Sequence, residues 1–387
     1  MLGQKAFSVA ATENQIHVAK CQVGTLPESK TGTVEDQVIK MITWFAAESI
    51  KFPVWELDAE ISKFGKAPDW HFAMETEDHK MKNWNETKII GIDHGYGNIK
   101  TANCCFKNGI LGYDAEPLFT SDMLVYGGRY YLIGEGHKEF LQNKVQDEDY
   151  YLLTLVGIAK ELTLADLTEA HVCIAAGLPL TWTSGQKEAF KAYLSRNKEV
   201  RFTYRKKDYH VFIDDVRIYP QGYAAIASSA GSMKGVNLIA DIGNGTMNVL
   251  FITNGKPVSG KMFTEKYGTY QCTLAIRESF MRQTQRELND AIIDEILCTG
   301  TANIAEDDLA IIKEAASEYV ADIFRRLREH GYDEKTMTLH ITGGGGCLVR
   351  NFYHGDLSRT KFVTDICAAA KGYEYLAGIQ LKAEASR

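Results

Sequence analysis

The chain has 387 residues, of which 45% are hydrophobic and 24% charged, and its formal net charge at pH 7 is -7. These proportions are ordinary for globular proteins, so they exclude wholesale disorder, a collagen-like repeat and a small disulfide scaffold. No apolar run approaches the roughly 18–20 residues that a membrane span needs, and the acidic balance argues against a general nucleic-acid binder.

Residues 1–86 are aperiodic, and the one element that they predict is a helix over Glu35–Ile50. From about residue 87 onward, strands and helices alternate, which predicts α/β layers. In chain order, the predicted strands are Ile89–Asp93, Lys100–Phe106, Arg129–Ile133, His171–Ala176, Val211–Ile218, Asn237–Ile242, Asn248–Ile252 and Thr338–Thr342. The predicted helices are Asp149–Leu164, Lys187–Leu194, Glu265–Leu288, Asp307–His330, Cys347–Phe352 and Asp365–Ala383.

The cysteines indicate a reducing environment. There are eight, no two have C-x-x-C spacing, and several lie in apolar strand-like runs. We therefore expect buried, reduced thiols and no zinc site. Residues 1–15 lack the sustained apolar segment of a signal peptide, so we expect a cytoplasmic protein.

A short pattern occurs twice, each time between two predicted strands. The copies begin at Asp93 (DHGYGN) and at Asp241 (DIGNGT). Glycines let a phosphate approach backbone N–H groups, and two aspartates beside a phosphate call for a cation such as hydrated Mg²⁺. Either copy alone could be an ordinary hairpin turn. The repetition favours a phosphate site between two similar domains.

Three further features extend this predicted site. The glycine run Gly343–Gly346 follows a strand and exposes bare backbone, against which a base, a ribose or an α-phosphate can lie; the alternative is a flexible loop. Lys100 can reach a β-phosphate, unless it is an exposed strand lysine. Gln221, at a strand end, can orient a water for attack on a γ-phosphate, unless it only begins a helix.

Two other segments bear on the architecture. The small-residue stretches Gly222–Ser229 and Cys367–Tyr373 predict a close crossing where two domains join. Gly255–Met262 nearly spells a phosphate-binding P-loop, but Met262 cannot ligate Mg²⁺ and the spacing fits a hairpin turn. Rossmann, zincin and α/β-hydrolase motifs are missing from the sequence.

Taken in order, these segments resemble the phosphate-1, connect-1, phosphate-2 and adenosine motifs of the actin-like ATPase superfamily. They are IIGIDHGYGNIKTAN, IYPQG, LIADIGNGTMNV and LHITGGGGCL. Within the superfamily, the chain is most similar to the ParM/StbA and Alp group of plasmid-segregation actins. The resemblance, over about residues 88–383, implies an α/β fold with two actin-like (ribonuclease H-like) domains around a nucleotide cleft. Domain I would be 87–230 completed by 363–387, and domain II would be 231–362.

The resemblance implies a ligand, ATP or ADP with Mg²⁺, and a role for each motif position. Asp93 and Asp241 would hold Mg²⁺ through water and, with Gln221, would act on the attacking water. The implied nucleotide-binding residues are Gly95, Tyr96, Gly97, Asn98, Lys100, Gly243, Asn244, Gly245, Thr246, Gly343, Gly344, Gly345 and Gly346.

Two of these positions depart from the family pattern. Tyr96 stands where many relatives have Ser or Thr, which puts one hydroxyl–phosphate contact in doubt. Gln221 stands where the best-known ParM has Glu and actin has Gln. The resemblance therefore implies the same role for this residue, with a different rate of ATP hydrolysis.

The implied function is an ATPase that forms dynamic filaments and segregates plasmid or other mobile DNA. Self-association and a ParR-like DNA-binding adaptor are the implied partners, with no direct contact to nucleic acid or membrane. A small-molecule kinase of the same superfamily remains an alternative, as do a chaperone and a membrane-tethered division actin. Residues 1–80 lie outside the resemblance. We expect them to be a partner-binding module or an upstream-extended reading frame whose true start is Met81.

Overall fold

The computed structural model describes residues 81–118, 122–135 and 148–386. The helix predicted over Glu35–Ile50 and both expectations for residues 1–80 lie outside this part of the chain. The described helices are α1 (Asp149–Leu164), α2 (Thr183–Leu194), α3 (Ala227–Ala230), α4 (Thr269–Thr284), α5 (Asp290–Thr299), α6 (Glu306–Glu329), α7 (Gly345–Phe352) and α8 (Ala368–Ala385), with a 3₁₀ turn at Ala224–Ile226. None of them is long and apolar enough to cross a membrane.

In the part of the chain that the structure describes there are two sheets, and the first holds ten strands. They are β1 (Lys82–Trp84), β2 (Thr87–His94), β3 (Asn98–Thr101), β4 (Cys105–Lys107), β5 (Ile110–Tyr113), β6 (Met123–Tyr126), β7 (Arg129–Ile133), β8 (Glu169–Leu178), β9 (Glu199–Tyr204) and β10 (Lys207–Pro220). Their order is β4-β3-β2-β8-β10-β9-β6-β7-β5, with β1 paired to β2. The central strands β2, β8 and β10 are parallel, and the other pairs are antiparallel. Helices α1, α2 and α8 contact the central strands.

The second sheet is smaller and has a related plan. Its strands are β11 (Val236–Ile242), β12 (Met247–Thr253), β13 (Lys256–Glu265), β14 (Thr338–Thr342) and β15 (Thr360–Phe362), in the order β13-β12-β11-β14-β15. Strands β11, β14 and β15 are parallel, and residues of α4 to α7 complete the core. The mixed α/β class is as predicted. The domain boundary proposed at 230/231 falls between β10 and β11, and the one proposed at 362/363 falls between β15 and α8; both stay predictions.

Helices α1 and α6 show how the apolar pattern of a sequence predicts which faces of a helix are buried. Helix α1 is buried on nearly all sides, which suits its almost uninterrupted apolar composition. Helix α6 instead carries one apolar stripe and several charged positions, and only the stripe is buried. The predicted bounds of α1 are confirmed, and those of α6 differ by one residue at each end.

The predicted helix Glu265–Leu288 was wrong at both ends. Glu265 is the last residue of strand β13, and helix α4 starts only at Thr269. The Gly268 N–H donates to Gln271 Oε1 at 2.7 Å, which satisfies a helix-terminal donor and fixes the start. The helix ends at Thr284 and is followed by Gln285, whose backbone is left-handed with φ +57°. Strand β13 was missed because its glycine and proline looked like a longer turn, but the hairpin at 254–255 confirms that this is no P-loop.

The predicted crossing of the two small-residue stretches is confirmed. A Cβ on Gly372 of α8 would overlap the carbonyl oxygen of Ala224 in the 3₁₀ turn. Gly91 of β2 is equally close to the Ala370 carbonyl of α8. Glycine at these positions therefore lets α8 lie directly against the elements that end near Asp93 and Gln221.

The expectation of buried thiols was right for only part of the cysteines. All seven described cysteines are free. Cys173, Cys272 and Cys367 are buried, whereas Cys105 and Cys298 are exposed. The two exposed thiols lie in a short strand and at a helix end, where an apolar neighbourhood in sequence does not mean burial.

Candidate functional site

The repeated sequence pattern is also a repeated structure. In the first sheet, β2 and β3 form a hairpin in which Asp93 pairs with Lys100. In the second, β11 and β12 form a hairpin in which Asp241 pairs with Asn248. In both hairpins the aspartate thus pairs with a polar residue that follows it at the same spacing in the sequence. In both sheets the inner hairpin strand also has a parallel neighbour, β8 beside β2 and β14 beside β11.

The predicted site residues lie at the carboxyl ends of the central parallel strands. Asp93 is the penultimate residue of β2, and Gln221 follows β10 directly. Asp241 is the penultimate residue of β11, and Gly343 follows β14. In open α/β sheets, ligands bind in the crevice outside these strand ends.

Two hydrogen bonds fix the carboxylates. Gln221 Nε2 donates to Asp93 Oδ1 at 3.1 Å, which joins the ends of β2 and β10. Thr342 Oγ1 donates to Asp241 Oδ1 at 2.8 Å, across the parallel pair β11 and β14. Both aspartates are half-buried. The hydrogen bond of Gln221 puts its carboxamide beside a predicted metal-binding carboxylate.

The charge of Asp93 acts on Asp241 although the two carboxylates come from different sheets. Burial raises the pKa of Asp241 above its usual value, and the charge of Asp93 raises it further. The Thr342 hydroxyl and the Lys100 ammonium act in the opposite direction. A pair of facing carboxylates in a partly buried crevice favours a bound cation, because a cation offsets their mutual repulsion.

Asn108, which was not predicted to take part, supports the first glycine loop. Its Nδ2 donates to the Gly95 carbonyl at 2.7 Å, and its backbone N–H donates to the Gly97 carbonyl at 3.0 Å. The side chain is buried. The sequence carries no signal for this role, because an Asn-Gly pair between two short strands looks like any hairpin turn.

The second glycine loop is supported by the start of helix α4. The backbone N–H of Thr269 donates to the Gly243 carbonyl at 3.0 Å, and that of Tyr270 donates to the Asn244 carbonyl at 2.9 Å. A Cβ on Gly268 would overlap the Asn244 carbonyl. The first backbone N–H groups of α4, which have no acceptor within the helix, thus donate to carbonyl groups of the loop. Gly268 before a helix is the signal that could have found this contact.

The loops of the two sheets touch each other. A Cβ on Gly97 would lie 3.2 Å from the Cγ and Nδ2 atoms of Asn244. A Cβ on Gly222, directly after Gln221, would lie 3.3 Å from the Asp241 Cβ. The structure therefore brings the two predicted phosphate loops and the connecting segment after β10 to one place.

The glycine run after β14 divides into two kinds of position. Gly343 has φ +80°, and a Cβ there or on Gly345 would overlap atoms of Ile242. Gly344 has open space where a side chain would begin, and Gly346 lies beside the Phe362 ring. Two of the four glycines are thus required by packing on β11. A nucleotide contact for all four stays a prediction.

The other predicted residues differ in exposure. Asn98 is exposed and Lys100 is half-buried, so both can face a ligand. Burial raises the pKa of Tyr96. Gly245 and Thr246 are buried, and the Thr246 carbonyl accepts the Gly243 N–H at 2.9 Å. Thr246 therefore closes its own loop through the backbone.

A metal ion at this place would have few protein ligands. Within the described ranges, no group of three or more His, Cys, Asp or Glu is placed to hold a metal. Asp93 and Asp241 offer the oxygen donors that Mg²⁺ prefers, and Mg²⁺ usually keeps several waters and binds substrate phosphates. The donor set fits a hydrated Mg²⁺ bound together with a phosphate ligand.

Comparison with known proteins gives the same fold. Residues 91–223 match the family model described as the N-terminal domain of actin-like proteins, and no curated protein matches the sequence. The archaeal actin homologue Ta0583 is 18% identical with a TM-score of 0.62, over 75% of this chain and 99% of its own. Apo ParM of pSK41 is 15% identical with a TM-score of 0.59, over 78% and 100%. The Alp12 filament structure is 16% identical with a TM-score of 0.54, over 76% and 99%. Residues 91–223 are therefore similar to the N-terminal domain of actin-like proteins, and the chain has the two-domain actin-like fold of these solved structures.

Proposed function

We propose that this protein binds ATP with Mg²⁺ between its two sheets, hydrolyses it, and assembles with copies of itself into filaments that the bound nucleotide controls. The observation that carries the proposal is the pair of matching hairpins. They bring Asp93 and Asp241 to one crevice, where Gln221 is hydrogen-bonded to Asp93 at 3.1 Å.

Relatives support a nucleotide as the ligand. Ta0583 has been solved in complex with ADP, and ParM from Bacillus thuringiensis has been solved with ATP. Both share the fold of this chain at 18% and 12% identity. The same crevice in this chain has two glycine loops and two carboxylates, which are suited to phosphate and a divalent cation.

The chain's own residues would divide the work of hydrolysis. The backbone N–H groups of the two glycine loops would bind phosphate oxygens, and Lys100 would add a positive charge. Gln221, held at its amide nitrogen by Asp93, would orient the attacking water with its carbonyl oxygen. Bound Mg²⁺ would neutralise charge on the phosphates.

Assembly and cargo form the second half of the proposal. The Alp12 relative was solved as a filament, which supports self-association of a chain with the same fold. ATP would favour one arrangement of the two domains over another, and hydrolysis would then weaken the subunit contacts. The formal net charge of -7 favours DNA contact through a ParR-like adaptor over direct binding. The cargo would be a plasmid or other mobile DNA in the cytoplasm.

Pelleting and light scattering with Mg-ATP, Mg-ADP or no nucleotide test this function. We expect polymer that forms with ATP and later disassembles, and that is lost in Asp241→Ala. Asp114→Ala, at an exposed acid that is paired with Arg129, serves as the matched control. A chain starting at Met81 shows whether the leading segment is needed for assembly.

Two results would contradict parts of the proposal. Absence of ATP binding would refute the nucleotide site. ATP binding without polymer at high protein concentration would refute the filament and favour a small-molecule kinase, which a screen of phosphate acceptors would then identify.

A further inference from the structure

Tyr373 of helix α8 occupies a space that glycine leaves open at the end of β8. The side chain is fully buried. A Cβ on Gly177 would overlap the Tyr373 hydroxyl, so no larger residue is compatible with this position of the phenol. The next residue, Leu178, accepts the backbone N–H of Gln221 at 2.8 Å. The hydroxyl therefore lies beside the strand end that holds Gln221.

Packing alone does not explain this hydroxyl. In the part of the chain that the structure describes, the Tyr373 oxygen has no hydrogen-bond partner. Other buried tyrosines have one, since Tyr204 donates to Asp122 and Tyr319 donates to the Gly268 carbonyl. A buried hydroxyl without a partner destabilises a fold, so phenylalanine would pack better here.

The groups that act on the phenol are the predicted catalytic ones. Burial raises the pKa of Tyr373 well above its usual value, and the charges of Asp93 and Asp241 raise it further. The Gln221 side chain acts in the opposite direction, as a hydrogen-bonding group close to the phenol, and lowers this pKa. The phenol is thus neutral at physiological pH and has an O–H to donate.

We propose that Tyr373 is a positioning residue for hydrolysis, whose O–H donates to the Gln221 carboxamide oxygen when nucleotide fills the crevice. The inference rests on the proposed function and deepens it. Asp93 already holds the amide nitrogen of Gln221 at 3.1 Å. The carboxamide oxygen has two acceptor sites, so one serves the phenol and the other the attacking water. Both ends of the Gln221 amide are then fixed.

The neighbours of Tyr373 on α8 give it a rigid base. Gly372 lies against the Ala224 carbonyl, three residues after Gln221. Glu374 accepts the Gly91 N–H at 3.1 Å, two residues before Asp93. Three consecutive residues of one helix thus contact the segments that lead to the proposed catalytic side chains.

The test measures ATP turnover, nucleotide affinity and thermal stability of Tyr373→Phe in the full chain. We expect kcat to fall roughly five- to tenfold, the effect of one lost hydrogen bond. KM and ADP affinity should stay within about twofold of wild type, and Tm should be unchanged or higher. Tyr209→Phe is the control, because Tyr209 is also buried but its hydroxyl contacts Thr163 at 2.6 Å. That variant should lower Tm and leave kcat unchanged.

The outcomes separate this inference from the function on which it rests. A wild-type chain without ATP turnover would refute the proposed function and the inference with it. Wild-type turnover that Tyr373→Phe leaves unchanged would refute the inference alone. So would a loss of kcat that goes with a fall in Tm as large as that of Tyr209→Phe.

Discussion

Glu374 makes the stability of the first sheet depend on pH. The side chain is only 4% exposed, and it accepts the Gly91 N–H at 3.1 Å. Burial raises the pKa of Glu374 from 4.5 to about 7. The Gly91 hydrogen bond lowers it, the charge of Glu161 raises it, and Lys82 and Lys371 lower it.

The direction and the size of this pH effect on stability follow from proton linkage. The folded state holds this proton more tightly than the unfolded state, so its stabilising effect is complete below about pH 4.5 and is lost as the pH rises to about 7. Each pKa unit corresponds to about 1.4 kcal/mol. Between pH 5 and pH 8, the ionisation of Glu374 should therefore lower the free energy of unfolding by about 2–3 kcal/mol.

Urea denaturation at pH 5 and pH 8 measures this difference. Glu374→Gln keeps an oxygen for the Gly91 N–H and removes the titration, so it should flatten the pH dependence by that amount and be more stable than wild type at pH 8. Glu278→Gln, at an exposed glutamate of α4, is the control and should leave the slope unchanged. Equal slopes in wild type and Glu374→Gln would show that the reasoning is wrong.

Two further predictions concern the supports of the glycine motifs. Asn108→Ala removes the hydrogen bond to the Gly95 carbonyl. The affinity for Mg-ATP, measured by isothermal titration, should therefore fall about fivefold, which corresponds to about 1 kcal/mol. Unchanged affinity would mean that the loop needs no such support. Gly345→Ala should lower the free energy of unfolding by about 1–3 kcal/mol, because its methyl would overlap Ile242. Gly344→Ala faces open space and should change it by less than about 0.5 kcal/mol, so equal losses in the two variants would contradict the packing argument.

The features of the site that could be predicted from the sequence are those formed by residues close together in the chain. An apolar strand, a glycine turn and a second strand are contiguous, so the hairpins at Asp93 and Asp241 could be predicted with their polar residues. The apolar spacing of α1 and the short strand β14 before the glycine run are likewise local features. The short strands β5 and β6 were missed because they are partly exposed and have little periodicity, and the single strand predicted over Lys100–Phe106 is divided between β3 and β4.

The supports of the site could not be predicted, because they depend on contacts between distant segments. Asn108 resembles a turn residue, and Tyr373 resembles any aromatic residue of a core helix. Only the fold shows that one holds the Gly95 carbonyl and that the other lies against Gly177. Hydrophobic patterning reports which residues are buried, but not which polar atom a buried residue will meet.

These supports connect the crevice to the end of the chain. Gly91 and the 3₁₀ turn at Ala224–Ile226 contact the backbone of α8, and Gly177 contacts the Tyr373 side chain of α8. Packed contacts of this kind shift as units and do not deform continuously. A nucleotide-driven movement of β2 or of the segment after β10 must therefore carry α8 along or break its contacts. We therefore expect helix α8 to move together with Asp93 and Gln221, although it lies more than a hundred residues later in the chain.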